Sequence, residues 1–136
     1  MEITLDQPAR ARLITGEGDL PVPATLHYCS SDPLAVHVAF PPEVTLAGED
    51  VVWTFARSLL AAGVDGAVGQ GDVHIWPCGR AMTVLEFHSP YGLALLQFDT
   101  AALRRFLVRT YAVVAPGTED LGPAVERCLN ELTGQP

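Results

Sequence analysis

Four histidines, His27, His37, His74 and His88, and three cysteines, Cys29, Cys78 and Cys128, are the residues of this chain best equipped to hold a transition metal. His27 and Cys29 lie two apart, and in a strand positions i and i+2 share a face, so the pair amounts to half a ligand set. Cys78 follows His74 by four residues, but spacing ties no carboxylate and no second pair to either. The histidines therefore read as structural or surface groups, and no metal ligand is assigned. A nucleophile at Cys29 or Ser89 has no local motif around it, and no GxSxG elbow occurs. Gly69–Gly71 reads GQG without the Lys and Ser/Thr of a phosphate-cradling loop, which leaves a hairpin or loop. No catalytic residue and no cofactor site is assigned.

The charged residues say more. Arg105 and Arg109 lie four apart, beside Arg104, on the side of an expected helix away from its apolar arc. One reading is a solvated face, paired with Glu119 or Asp120. The other is a docking face for an acidic partner segment, with Val108 and Ala112 as apolar contacts between the cations. Pro116–Gly117 follows that helix, and Gly117 suits a φ value that a Cβ would forbid; its turn would set the direction of whatever follows. Trp53, Phe55 and Trp76 read as core or interface aromatics.

These residues need elements to place them. Period-two alternation with β-branched and aromatic enrichment predicts strands over Arg10–Thr15, Val22–Cys29, Leu34–Phe40 and Val51–Phe55. A helix over Ala56–Ala62 follows, with Gly63 placed to end it in the left-handed conformation. The plan then repeats. Asp72–Trp76, Met82–His88 and Leu93–Phe98 read as strands, and Val64–Gly71 as a loop. A second helix begins near Thr100, capped by Asp99 or Thr100. It buries an arc of Leu103, Phe106, Leu107, Thr110, Tyr111 and Val114. A last helix from Pro123 to Leu132 would place Val125, Cys128, Leu129 and Leu132 on one side. The fold class is α+β, two strand-then-helix halves plus a C-terminal helix, in one domain over 1–136.

Composition bounds the function. The 136 residues carry a formal net charge of −8, and all eight basic residues are Arg. An acidic chain is repelled by a phosphate backbone, which weighs against nucleic-acid binding. Hydrophobic residues make up 49 % and charged ones only 18 %, an excess of apolar surface that self-association would hide. No run approaches the roughly 20 apolar residues of a membrane span, and MEITLDQPAR lacks the layout of a secretory signal. Three widely spaced cysteines give no disulfide framework, so a reducing cytoplasm is expected.

Several segments together resemble one family. WTFARSLLAAG (Trp53–Gly63), LPVPATLHYCSSDPLAVHVAF (Leu20–Phe40), GDVHIWP (Gly71–Pro77), SPYGLALL (Ser89–Leu96) and LRRFLVRTYAVVAPGTE (Leu103–Glu119) are similar, in order, to the pattern of the SsgA-like proteins, actinobacterial regulators of sporulation-specific cell division. The departures are Cys78–Gly79 in a variable hairpin and Tyr91 where an acidic residue is common. Between an SsgB-type and a more specialised member the paralogue stays open.

The resemblance implies a non-enzymatic cytoplasmic protein, acting at division septa, with no cofactor. It implies a Whirly-like curved antiparallel sheet with helices, assembled as a homotrimer in which Trp53, Phe55 and Trp76 serve core or interface. The implied partners are the tubulin-like GTPase FtsZ, another SsgA-like protein, or both. The alternative from another class is a single-stranded nucleic-acid-binding module of the same fold, with those aromatics as a stacking platform.

Overall fold

The computed structural model describes residues 1–42, 48–90 and 92–119. Tyr91, Asp120 and the helix expected over Pro123–Leu132 lie outside the described residues. The chain runs β1 (Thr4–Thr15), β2 (Gly18–Cys29), β3 (Ala35–Phe40), β4 (Val51–Ala56), α1 (Arg57–Gly63), β5 (Val68–Gln70), β6 (Val73–Cys78), β7 (Met82–Ser89), β8 (Gly92–Asp99) and α2 (Thr100–Val113). The two expected strand-then-helix halves are both present.

All eight strands form one antiparallel sheet in the order β4-β3-β2-β1-β8-β7-β6-β5. Each half is a four-stranded meander, and the first strand of one half meets the last strand of the other. That seam is short: β1 and β8 pair only at Ala11–Phe98, Arg12–Gln97 and Leu13–Leu96. The twist of long strands curls such a sheet into a half-barrel. An aromatic cluster draws its two sides together inside the curl. Phe87 of β7 stacks on Trp53 of β4 at 4.7 Å between ring centroids, with Phe55 at 6.2 Å and Phe40 of β3 at 6.3 Å. In sheet order β4 and β7 are far apart, so these contacts span the concave face.

The strand pattern explains which side chains meet there. Val36, Val38 and Phe40 alternate inward on β3, as do Val22, Ala24, Leu26 and Tyr28 on β2 and Val73 and Ile75 on β6. α2 covers this face with Leu103, Phe106, Leu107 and Thr110 buried and Tyr111 and Val114 partly so, the arc expected from its sequence.

Four expectations are corrected. β1 begins at Thr4, six residues before the alternation becomes clear at Arg10. The stretch read as a loop contains β5, an edge strand whose three residues are too few to show a period. Neither Asp99 nor Thr100 caps α2 with its side chain; the Thr100 hydroxyl is engaged with Thr83 at 2.7 Å, and its amide donates to the Ala81 carbonyl instead. Gly63 does not take the left-handed conformation either. It lies inside α1, which ends at Val64 with helical dihedrals.

Close approach is what Gly63 supplies. A Cβ there would lie well inside 3.0 Å of the Ile75 side chain on β6. Gly63→Ala is therefore expected to destabilise the protein by about 1–3 kcal/mol in chemical denaturation, the usual penalty for overpacking. Gly66→Ala, with nothing within 4 Å of the new Cβ, is expected to change stability by less than about 0.5 kcal/mol.

Candidate functional site

α2 presents its outer face to solvent, and the surrounding interactions decide which of its residues a partner could reach. Its orientation depends on Arg57, the first residue of α1, which is 3 % exposed. The guanidinium lies between the rings of Tyr28 and Tyr111, 5.2 Å and 5.0 Å from their centroids. One terminal nitrogen donates to the Val114 carbonyl at 2.7 Å and the Thr110 carbonyl at 3.3 Å; the other donates to the Glu119 carboxylate at 2.7 Å. Planar geometry and a fork of donors suit Arg to such a sandwich. The tyrosine hydroxyl of Tyr28 donates to the Pro33 carbonyl, and burial pushes its phenol above the ordinary value.

Gly117 takes part in this clamp. Its φ is +83°, and the Thr118 amide donates back to the Ala115 carbonyl at 3.1 Å. Ala115–Pro116–Gly117–Thr118 is thus a turn with Pro at its second position and a positive φ at its third, where type II demands glycine. The turn returns the chain so that Glu119 faces Arg57. The hydrogen bond from Arg57 holds the Glu119 carboxyl below its ordinary value of 4.5.

The arginines of α2 divide. Arg104 pairs with Asp65 at 2.9 Å, and Arg109 donates to the Oε1 of Gln7 at 3.0 Å. Gln7 is buried and donates in turn to the Ala102 carbonyl, stitching β1 to α2. Arg105 is exposed and has no hydrogen-bond or ion-pair partner among the described residues. The expected pairing of this face with Glu119 is corrected, because Glu119 belongs to Arg57. Val108, one turn from Arg105, is 65 % exposed, and Ala112 is exposed beyond it. An apolar residue flanked by cations is what remains of the face.

The expected aromatics do not form one platform. Trp53 and Phe55 are inside the curl, whereas Trp76 alternates with buried Val73 and Ile75 and so lies on the opposite face, half-buried, paired in register with Val84. Stacking Trp53 on Phe87 occupies the ring face that a base would need, and the nucleic-acid alternative gains no support.

The histidines and cysteines settle differently from their sequence spacing. His27 pairs with Asp6 at 2.5 Å and Cys29 donates to Glu2 at 2.8 Å, so the suggested half-site is split between two carboxylates. The bond from Cys29 holds the Glu2 carboxyl below its ordinary value. Cys78 lies 3.9 Å from the Gln97 side-chain nitrogen. His74, Glu86 and His88, by contrast, come together on the outer face of β6 and β7. Arg57 and Glu86 were both missed in the sequence. A clue to Arg57 was available: as a helical position it shares an arc with Leu60 and Val64, both apolar.

Residues 22–119 match the family model described as Streptomyces sporulation and cell division protein, SsgA. The chain is 44 % identical to the sporulation-specific cell division protein SsgB of Kineococcus radiotolerans, over 95 % of this chain and 81 % of that one. It is 45 % identical to SsgB of Streptomyces coelicolor, over 88 % of each. A solved SsgB structure, reported with longitudinal cell division during sporulation of Streptomyces coelicolor, superposes with TM-score 0.77 at 41 % identity, over 88 % of this chain and 94 % of that one. An SsgA-like sporulation-specific cell division protein from Thermobifida fusca superposes with TM-score 0.79 at 33 % identity, over 95 % of both. The chain belongs to the SsgA family and is of SsgB type.

The clamp makes two predictions. Gly117→Val and Arg57→Lys are each expected to destabilise, by about 1–3 kcal/mol for the strained glycine position, and their combination by less than the sum, because both act through one clamp. Denaturant titration of the four proteins reads this directly. For pH, the Glu119 carboxyl is lowered in the folded state, so its contribution is full above the ordinary value of 4.5 and is lost as pH falls through the lowered one. Glu119→Gln should therefore melt below the parent protein at pH 7, with the gap closing below about pH 4.5.

Proposed function

We propose that this chain is a non-enzymatic regulator of sporulation-specific cell division that docks an acidic partner segment on the outer face of α2. The observation carrying this reading is the exposure of Arg105 and Val108 on a helix fixed at its far end by the Arg57 clamp. In a chain of net charge −8, a cationic face with an apolar centre stands out from the acidic surface around it and favours a partner segment of opposite charge. Membership of a family whose named relatives are sporulation-specific cell division proteins directs the search to the septation machinery. The partner is FtsZ polymer or another SsgA-like protein, recruited at division septa in the cytoplasm. Among the described residues no helix is long and apolar enough to cross a membrane.

The curled sheet with α2 across its concave side supports a Whirly-like arrangement, and the working assembly in this proposal is a homotrimer. Leu20, Leu34, Val52 and Leu93 are exposed on the sheet and its turns, and they supply apolar surface for self-association. Arg105, Val108 and Arg109 would form the partner contact, with Gly117 acting through the Arg57 clamp that orients the helix.

Light scattering of the purified protein should give three times the chain mass. Sedimentation with FtsZ and GTP should carry the protein into the pellet in proportion to polymer. Arg105→Glu is expected to weaken that co-pelleting by about tenfold, the effect of turning attraction into repulsion at one partly desolvated contact, with the thermal midpoint unchanged. Unaltered co-pelleting of the variant would remove Arg105 from the contact, and a folded protein left in the supernatant would count against FtsZ as the direct partner.

A further inference from the structure

His74 of β6 stands directly opposite Glu86 of β7 in the antiparallel ladder, and His88 follows Glu86 by two residues on the same face. Directly opposed residues bring their Cβ atoms within about 5.5 Å, and alternate residues of one strand share a face. The register therefore delivers two imidazoles and a carboxylate to one spot. One ligand atom from each of the three lies within 4.8 Å of the other two. His88 Nε2 and a Glu86 carboxylate oxygen are 2.7 Å apart, and the two imidazole rings are 5.2 Å apart and tilted by 58°.

We propose that His74, Glu86 and His88 form a binding site for a divalent transition metal, with zinc as the reference ion. Nitrogen and carboxylate donors at about 2.0–2.2 Å around a tetrahedral ion sit roughly 3.3 Å from one another. The three side chains are arranged within a rotamer adjustment of that spacing. His88 is exposed and the other two are half-buried, so the adjustment disturbs no core packing. Two imidazoles and one carboxylate suit zinc, nickel, cobalt or copper rather than magnesium or calcium, which take oxygen donors. The remaining coordination position faces solvent and is filled by water or by a donor from a second molecule.

The backbone beneath the site is shaped for it. Gly69 of the edge strand β5 pairs with His74, and a Cβ at Gly69 would fall well inside 3.0 Å of the His74 ring. The imidazole thus rests on bare backbone, which limits the conformations it must lose on binding. The second histidine pair of the sheet lacks this convergence. His27 and His37 also face one another across a ladder, but their partners diverge, Asp6 for His27 and the Thr54 hydroxyl at 2.8 Å for His37. Among the described residues three ligand atoms gather within 4.8 Å only at His74, Glu86 and His88. A bound ion would tie β6 to β7 near the edge of the sheet, where the three-residue β5 gives little support of its own.

The test uses the full chain without an affinity tag, stripped of metal and then titrated with zinc chloride in a calorimeter. One ion per chain is expected, with a rise in thermal midpoint, because a ligand that binds the folded state alone stabilises it. His74→Ala and His88→Ala should each weaken binding by about tenfold or more through loss of one of three ligands and abolish the rise in midpoint. His27→Ala, checked alongside, should bind as the parent does. Absence of saturable binding, or binding undiminished in both His74→Ala and His88→Ala, would overturn the proposal; the second result would place the ion on the cysteines or elsewhere.

Discussion

A buried cation organises the half of this molecule that carries its candidate docking face. Removing the Arg57 guanidinium from water costs several kcal/mol, and the structure answers with two tyrosine faces, two backbone carbonyls and one carboxylate. Those groups come from β2, from the last turn of α2 and from the segment beyond it. Arg57 itself opens α1, and its amide is bound to the Leu34 carbonyl ahead of β3. One side chain thus ties the first meander to α2. Hydrophobic contacts alone would hold α2 against the sheet but would tolerate sliding. A fork of directional bonds does not, and it holds the carbonyls at the end of the helix.

The sheet contributes the second constraint. A seam of only three residue pairs joins its halves, so the half-barrel cannot owe its curl to that ladder alone. Phe87 supplies what the seam lacks by touching Trp53, Phe55 and Phe40 from across the concave face. Polar stitches work beside it: Gln7 binds the α2 backbone, and the hydroxyls of Thr83 and Thr100 bind each other in the core. No buried side-chain polar atom among the described residues lacks a partner. A core closed this completely at its polar positions favours one arrangement of helix on sheet over nearby alternatives.

Sequence periodicity revealed the elements that alternate cleanly or turn every 3.6 residues. The interior strands β2, β3, β6 and β7 and the buried arc of α2 were legible for that reason. The early part of β1 was not, since Pro8 and the polar Asp6 and Gln7 interrupt the pattern while Gln7 is in fact buried for its hydrogen bonds. β5 is too short for any period. Gly63, expected to end α1 in the left-handed conformation, is instead its last residue in helical conformation: its missing side chain admits Ile75, a contact made across 12 residues that local rules cannot see. Gly117 shows the opposite case, since a Pro-Gly pair after a helix specifies its turn locally. The His74–Glu86–His88 group is only half legible: Glu86 and His88 lie two apart in one strand and share a face, whereas His74 joins them through strand register alone.

Location on a clamped helix bears on what the α2 face can do. A partner that docks there meets side chains whose backbone is already ordered, which spares the cost of ordering a loop on binding. The internal pairs of Arg104 and Arg109 restrict the face further. Both arginines contribute positive potential at long range, yet each has one terminal nitrogen engaged, with Asp65 and with Gln7 respectively. Arg105 keeps its full set of donors, next to an exposed Val108 that can lose water on contact. Recognition would then centre on the uncommitted guanidinium of Arg105 and on Val108, with Arg109 adding the donors that Gln7 leaves free and Arg104 steering the approach. A contact of that size suits reversible association, and its strength would grow with the number of chains presented together, since a second contact made within one assembly is effectively intramolecular. If the proposed trimer meets a polymer, such a weak, repeated contact would become a firm attachment.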